Sequence, residues 1–220
     1  MLDASTFKDK NLINLATENF INLKIDAESE YGNKLFTQFN GAGYPLIMFL
    51  DKDGVEIDRF YGYIPAHEFI LKMNNVIEGK NTFSDYLNQY NLGNHSSELL
   101  KSLGDKFREK GNNEEAITLY TELIKASNIS KENFVNSKYY IASLSLKSNG
   151  PTLLQEYLKE FENSDKFENA VYDLVNYYRS NQMETEEIAT YKTYLPLLNK
   201  SYNFLNSYAW RMSELDKNLD

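Results

Sequence analysis

Gly43-Tyr44-Pro45-Leu46-Ile47-Met48-Phe49-Leu50-Asp51-Lys52-Asp53-Gly54-Val55-Glu56-Ile57-Asp58-Arg59-Phe60-Tyr61-Gly62 is the stretch whose reading decides the fold. Leu46 to Leu50 is an unbroken apolar run of strand length, and Asp53-Gly54 supplies residues that tolerate positive φ in a tight turn. Val55 to Tyr61 then alternates, so the stretch reads as a β-hairpin whose first strand is buried on both faces. Pro45 opens that strand, where a missing N–H does least harm to the ladder. An aromatic residue before the proline raises the chance of a cis peptide bond at Tyr44-Pro45.

Upstream, Thr6 to Glu18 carries Phe7, Leu12, Ile13, Leu15 and Ala16 at helical spacing, and Phe20 to Ile25 alternates as a strand closed by Asp26. Ser29 is placed to cap a helix through Phe39 with Tyr31, Leu35, Phe36 and Phe39 on its buried side, ended by Gly41 and Gly43. Downstream, Pro65 suits the first turn of a helix whose Phe69, Ile70, Met73, Val76 and Ile77 form a stripe ending at Gly79. A right-handed crossover makes Phe20–Ile25 and Leu46–Leu50 parallel, with the hairpin partner antiparallel.

Glycine, a bulky residue and proline entering an apolar strand, then the Asp-Gly hairpin, Gly62 and an amphipathic helix, resemble the C-terminal half of a thioredoxin-like domain. The resemblance covers about residues 1–80. Phe20-Ile21-Asn22-Leu23-Lys24-Ile25-Asp26 resembles a strand of that family with its closing acid, and Gly41-Ala42-Gly43-Tyr44-Pro45 resembles its cis-proline loop. The resemblance implies that Gly43, Tyr44 and Pro45 hold a substrate chain by backbone hydrogen bonds, beside a CxxC motif. The chain has no cysteine, which forbids disulfides, thiolate metal sites and thiol catalysis in it. The family's first strand and its CxxC would precede Met1-Leu2-Asp3-Ala4-Ser5-Thr6-Phe7, so an upstream continuation is expected. The alternative is that another element or a partner covers the open sheet edge.

Residues 81–96 are polar, with Phe83, Tyr86, Leu87 and Tyr90 forming the stripe of a linker or docking helix. From residue 97 onwards strand signals vanish. Leu100, Leu103, Gly104, Phe107, Gly111, Ala116, Tyr120 and Leu123 have the spacings of the tetratricopeptide repeat. In that repeat small residues, here Gly104 and Ala116, let paired helices approach, and large ones, here Leu100, Leu103, Phe107 and Tyr120, fill the space around them. Asn133–Lys147, Leu153–Phe161, Glu168–Arg179 and Thr185–Leu198 read as further helices, broken at Asn149-Gly150-Pro151 and Ser180-Asn181-Gln182. Asn206–Met212 starts a further pair, whose second helix is expected to lie past Asp220. The fold class is therefore an incomplete α/β thioredoxin-like domain (1–80, first strand missing) followed by an all-α tetratricopeptide-like domain (97–220).

Composition narrows the chemistry. A formal charge of −9 over 220 residues, with scattered lysines and arginines, disfavours phosphate-neutralising nucleic-acid binding. No apolar run is long enough for a membrane span, and no signal peptide opens the chain; compartment stays open between cytoplasm and, if an upstream signal is lost, periplasm or exterior. His67 and His95 lie apart with no metal-site spacing, Asp51-Lys52-Asp53-Gly54 lacks the further ligands of a calcium loop, and Asp26, Glu28 and Glu30 spread over different faces. The Asn94, Asn128 and Asn199 sequons are what an asparagine-rich chain yields by chance. No cofactor motif is present. Tyr139 and Tyr178 are candidates for lining a concave peptide-binding face. The expectation is a thioredoxin-like relative of thiol–disulfide oxidoreductases, redox-inactive without cysteine, carrying a helical domain that binds a protein or peptide. A non-redox scaffold is the alternative. An exposed sheet edge makes a homodimer plausible.

Overall fold

The computed structural model describes residues 2–216; Met1 and residues 217–220, where the sequence reading began and ended, lie outside the described residues. The protein is mostly helical with one small antiparallel sheet, and divides into two compact units, Met1–Leu119 and Tyr120–Asp220.

In the first unit the expected opening helix is split. Short 3-10 turns at Leu2–Ala4 and Thr6–Lys8 precede α1, Lys10–Asn19, because the Asp9 carboxylate accepts from the N–H groups of Asn11 and Leu12 and starts a new helix there. Thr6 is buried and its hydroxyl donates to the carbonyl of Ile64 at 2.8 Å, tying the turn down. α2, Glu30–Gln38, is capped by Ser29, whose Oγ accepts from Gly32 N–H. Gly32 is required by space: a β-carbon there would run into the carbonyl of Asp26. Tyr31, expected on the buried side, is 67% exposed, while Leu35, Phe36 and Phe39 are half-buried.

β1, Leu46–Leu50, and β2, Glu56–Tyr61, form the hairpin, pairing Leu46 with Tyr61 and Phe49 with Asp58. The Asp51 carboxylate accepts from the N–H groups of Asp53 and Val55, and Gly54 takes the left-handed conformation at φ 79°, so this acidic loop is a turn. The Tyr44-Pro45 bond is cis. Two expectations are corrected. β1 is not buried on both faces, since Phe49 alone is buried and Leu50 is exposed. Phe20–Ile25 is not a strand, and the sheet has no parallel pair; no neighbouring ladder takes its N–H and C=O groups, and Ile21 and Leu23 are 93% and 79% exposed.

Pro65 caps α3, Ala66–Glu78, standing one residue before the helix, and Gly79 closes it in the left-handed conformation. Leu12, Phe49, Phe60, Phe69 and Met73 make the core, with Phe20 and Ile47 packed against it. The Phe60 and Phe69 rings meet edge to face at 5.1 Å. The 81–96 segment contains α4, Phe83–Asn91, which packs on β2 and on α5, Ser97–Glu109. α6, Asn113–Leu123, spans the division between the units.

The second unit is wholly helical: α7 Lys131–Asn149, α8 Thr152–Glu160, α9 Phe167–Ser180, α10 Glu184–Tyr194 and α11 Tyr202–Glu214. Neighbours in sequence pack on each other from α7 to α10. α10 ends at Tyr194 rather than Leu198, because Pro196 has no N–H to continue it. α11 begins at Tyr202 rather than Asn206, because the Ser201 hydroxyl accepts from Phe204 N–H. One core runs through the unit, with Leu154, Ala170, Val171 and Phe204 at 0% exposure.

Candidate functional site

The predicted contact loop, Gly43, Tyr44 and Pro45, lies at the entrance to β1. Tyr44 is 59% exposed and Pro45 is exposed, while Gly43 is half-buried. The Tyr44 ring lies on Phe36 of α2 at 4.6 Å, an apolar platform beside the loop. Gly41 permits it, since a β-carbon at that position would overlap the Phe36 ring. The loop is held from below: Ala42 N–H donates to the Tyr61 hydroxyl at 3.3 Å, and Arg59 Nη1 donates to the same oxygen at 3.2 Å.

Arg59 belongs to a buried charge cluster that sequence reasoning missed. Asp58, Arg59 and Phe60 are consecutive and all buried, so both faces of β2 are covered there, and a register shift between Phe49 and Leu50 leaves Ile57 as the extra residue and brings Glu56 onto the face of Arg59. Arg59 Nε and Nη2 donate to the two carboxylate oxygens of Glu56 at 2.7 and 2.5 Å, a residue three positions away that a regular strand would turn to the other face. Lys110, which caps the end of α5, also donates to Glu56, and Lys106 of α5 donates to Asp58 at 2.6 Å. Burial works against the Glu56 carboxylate, but hydrogen bonds from Arg59 and Lys110 outweigh it and hold its pKa below the ordinary value. Burial raises the pKa of neighbouring Glu109. The signal available in sequence was Glu56-x-Asp58-Arg59 within a strand, matched by Lys106 and Lys110, four residues apart at the end of α5 and its cap.

Of the repeat residues, Leu100, Leu103, Gly104 and Ala116 are buried in the first unit, and Phe107 meets the Phe83 ring edge to face at 5.2 Å. Tyr120, in the second unit, is 1% exposed and stacks on Tyr140 at 5.2 Å. Tyr139 is buried and donates from its hydroxyl to Asp173 at 2.8 Å, so it packs the core rather than lining a concave face. Burial, with the Asp173 charge beside it, raises the Tyr139 pKa.

Tyr178 is a core residue as well, 5% exposed, yet it also borders an opening. A groove of about 320 Å³ is bordered by Gln155 and Lys159 of α8, Tyr178 of α9, and Glu186, Ala189 and Thr193 of α10. Gln155 Nε2 donates to the Tyr178 hydroxyl at 2.8 Å, fixing that ring at the groove wall. Lys159 and Glu186 supply both signs of charge, and Ala189 and Thr193 keep the α10 side low enough for a chain to approach.

α10 is itself anchored by Glu187, which is 0% exposed. Arg211 of α11 donates Nε and Nη2 to its two oxygens, both at 2.8 Å, and Arg179 Nε donates at 2.9 Å. Burial disfavours the Glu187 carboxylate, yet the hydrogen bonds from Arg211 and Arg179 prevail and lower its pKa. An acid on the apolar stripe Met183, Glu187, Thr190, Tyr191 was the sequence signal.

Among the described residues no cluster of three or more His, Asp or Glu is placed to hold a metal. His67 is exposed beside Glu68, and the His95 ring lies on Tyr90 at 4.6 Å. No helix among the described residues is long and apolar enough to cross a membrane. No family model, curated protein or solved structure matches the chain.

Proposed function

We propose that the protein is a binding scaffold, a thioredoxin-like portion joined to tetratricopeptide-like helical repeats, related to thiol–disulfide oxidoreductases but without redox chemistry in a chain that has no cysteine. The observation that carries the binding role is the groove between α8, α9 and α10, with a low α10 side at the exposed Ala189 and Thr193 and opposite charges at Lys159 and Glu186. Such a site suits an extended peptide, whose backbone fits against Ala189 and Thr193 while its charged side chains meet Lys159 and Glu186. The thioredoxin-like reading is supported by the order α2, Pro45, β1, turn, β2, α3 and by the exposure of Tyr44 and Pro45. Pairing of two copies through an exposed edge belongs to the same proposal.

The test is selection from a displayed random-peptide library against the folded protein, followed by titration. Ala189→Trp fills the groove from an exposed helical position and is expected to weaken the selected peptide at least about tenfold, roughly 1.4 kcal/mol, with helix content unchanged. Selected peptides indifferent to Ala189→Trp would refute the groove. The redox kinship is tested by the mass and N-terminal sequence of the native protein. A longer form carrying CxxC and reducing insulin disulfides supports a catalytic parent, and a native form without cysteine leaves the scaffold alone.

A further inference from the structure

We propose that residues 21–25 are a self-complementary edge that pairs antiparallel with the same residues of a second copy, with Leu23 on the two-fold axis. The inference rests on the reading of an exposed edge given above, and supplies its residues and register; the peptide groove is independent of it.

Neither helix, turn nor bend interrupts residues 20–26, and the segment leaves α1 in extended conformation at Phe20. It is fixed at both ends. Phe20 lies against Phe49 at 5.6 Å, and Asn22 Nδ2 donates to the carbonyl of Ala16; at the other end the Asp26 carbonyl accepts from the Ser29 N–H and hydroxyl. Between those ties, among the described residues, the backbone of 21–25 makes no hydrogen bond. Ile21, Leu23 and Ile25 are 93, 79 and 46% exposed, an apolar row at strand spacing beside unpaired donors and acceptors. Backbone tied at both ends, with open hydrogen-bonding groups and an apolar row, fits another strand.

The pattern of the segment selects the occupant. An antiparallel pair centred on Leu23 sets Leu23 against Leu23, Ile21 against Ile25 and Asn22 against Lys24. Apolar residues therefore meet apolar ones throughout, and no lysine faces a lysine. Lys24 is also neutralised within its own copy by Asp3 at 2.7 Å. A parallel pairing in register would set Lys24 beside Lys24. The contact is short, at the low end of specific interface sizes, so a reversible dimer with micromolar dissociation is expected, on the order of 10 µM.

Sedimentation of the full chain from roughly 1 to 100 µM, a range that brackets such a constant, is the test. The expected result is a concentration-dependent dimer. Leu23→Lys sets two ammonium groups face to face on the axis and is expected to raise the dissociation constant at least about tenfold. Register is read by a mixing experiment. Ile21→Glu and Ile25→Lys each weaken self-association, and their mixture is expected to associate more tightly than either alone because position 21 of one copy faces position 25 of the other. All three positions are exposed, and far-ultraviolet circular dichroism verifies that the variants fold. A protein monomeric throughout that range overturns the proposal, as does a dimer indifferent to Leu23→Lys or a mixture no tighter than its components. Peptide binding in the groove is expected to survive Leu23→Lys, so failure of either idea is seen separately.

Discussion

Leu46–Leu50 and Phe20–Ile25 have similar local preferences and opposite fates. Both are short, apolar and rich in strand-forming residues, but only the first has a ladder partner. β1 pairs with β2 through the Asp51 to Gly54 turn and seats Phe49 among Phe20, Phe60 and Phe69. Residues 21–25 have no such neighbour and present their apolar row outward. The difference teaches that a strand is a property of a pair. Propensity makes a segment eligible, and a second backbone makes it a strand.

The largest expected effect breaks the favoured member. Phe49→Ala, at a 7% exposed position surrounded by three rings, is expected to cost about 3–5 kcal/mol in urea unfolding of the first unit, followed by hydrogen exchange at β1. Next comes the partner strand. Glu56→Gln leaves Arg59 and Lys110 without their carboxylate and is expected to cost about 2–3 kcal/mol at pH 7. The pH dependence has a definite sign. The folded pKa of Glu56 is depressed, so its stabilisation is fully present above the unfolded value, near pH 4.5, and is lost as pH falls through the lower folded value. Urea midpoints for the first unit between pH 7 and pH 3 are expected to fall less steeply in Glu56→Gln than in the natural sequence.

Smaller still is the turn that makes the pair. Gly54→Ala places a β-carbon at φ 79°, where only conformational strain opposes it because the surrounding space is open, and about 1 kcal/mol is expected. The smallest effect sharpens the contrast from the other side. Leu23→Ser, at protein concentrations low enough for a monomer, is expected to change stability by no more than about 0.5 kcal/mol. A cost near that of Phe49→Ala would show that the two segments are energetically alike after all.

Much of the local structure was legible from residue types. Ser29 caps α2, Gly79 closes α3, and Asp53-Gly54 turns the hairpin, because each acts through atoms within a few residues of its own backbone, whereas the equally local cap at Ser201 goes unread and α11 starts four residues before the expected Asn206. The cis bond at Tyr44-Pro45 and the burial of Leu100, Leu103, Gly104 and Ala116 follow local pattern in the same way. The sites that escaped are those whose partners are distant in the chain. Arg59 is neutralised by Glu56 only because β2 shifts register, and Lys110 reaches the same carboxylate across 54 positions. Glu187 is acceptable at 0% exposure only because Arg211 lies 24 positions away on another helix.

The sequence by itself determined the hairpin, the helix boundaries set by caps, prolines and glycines, and the impossibility of thiol chemistry in this chain. Those follow from short-range sterics, local hydrogen bonding and the presence or absence of a sulfur atom. Only the tertiary structure decided that Phe20–Ile25 stays unpaired, that Tyr139 and Tyr178 are both core residues, and that Glu56 and Glu187 are buried anions. Each of those depends on which distant group arrives to satisfy a hydrogen bond, cover an apolar face or neutralise a charge, and spacing along one chain does not specify that arrival.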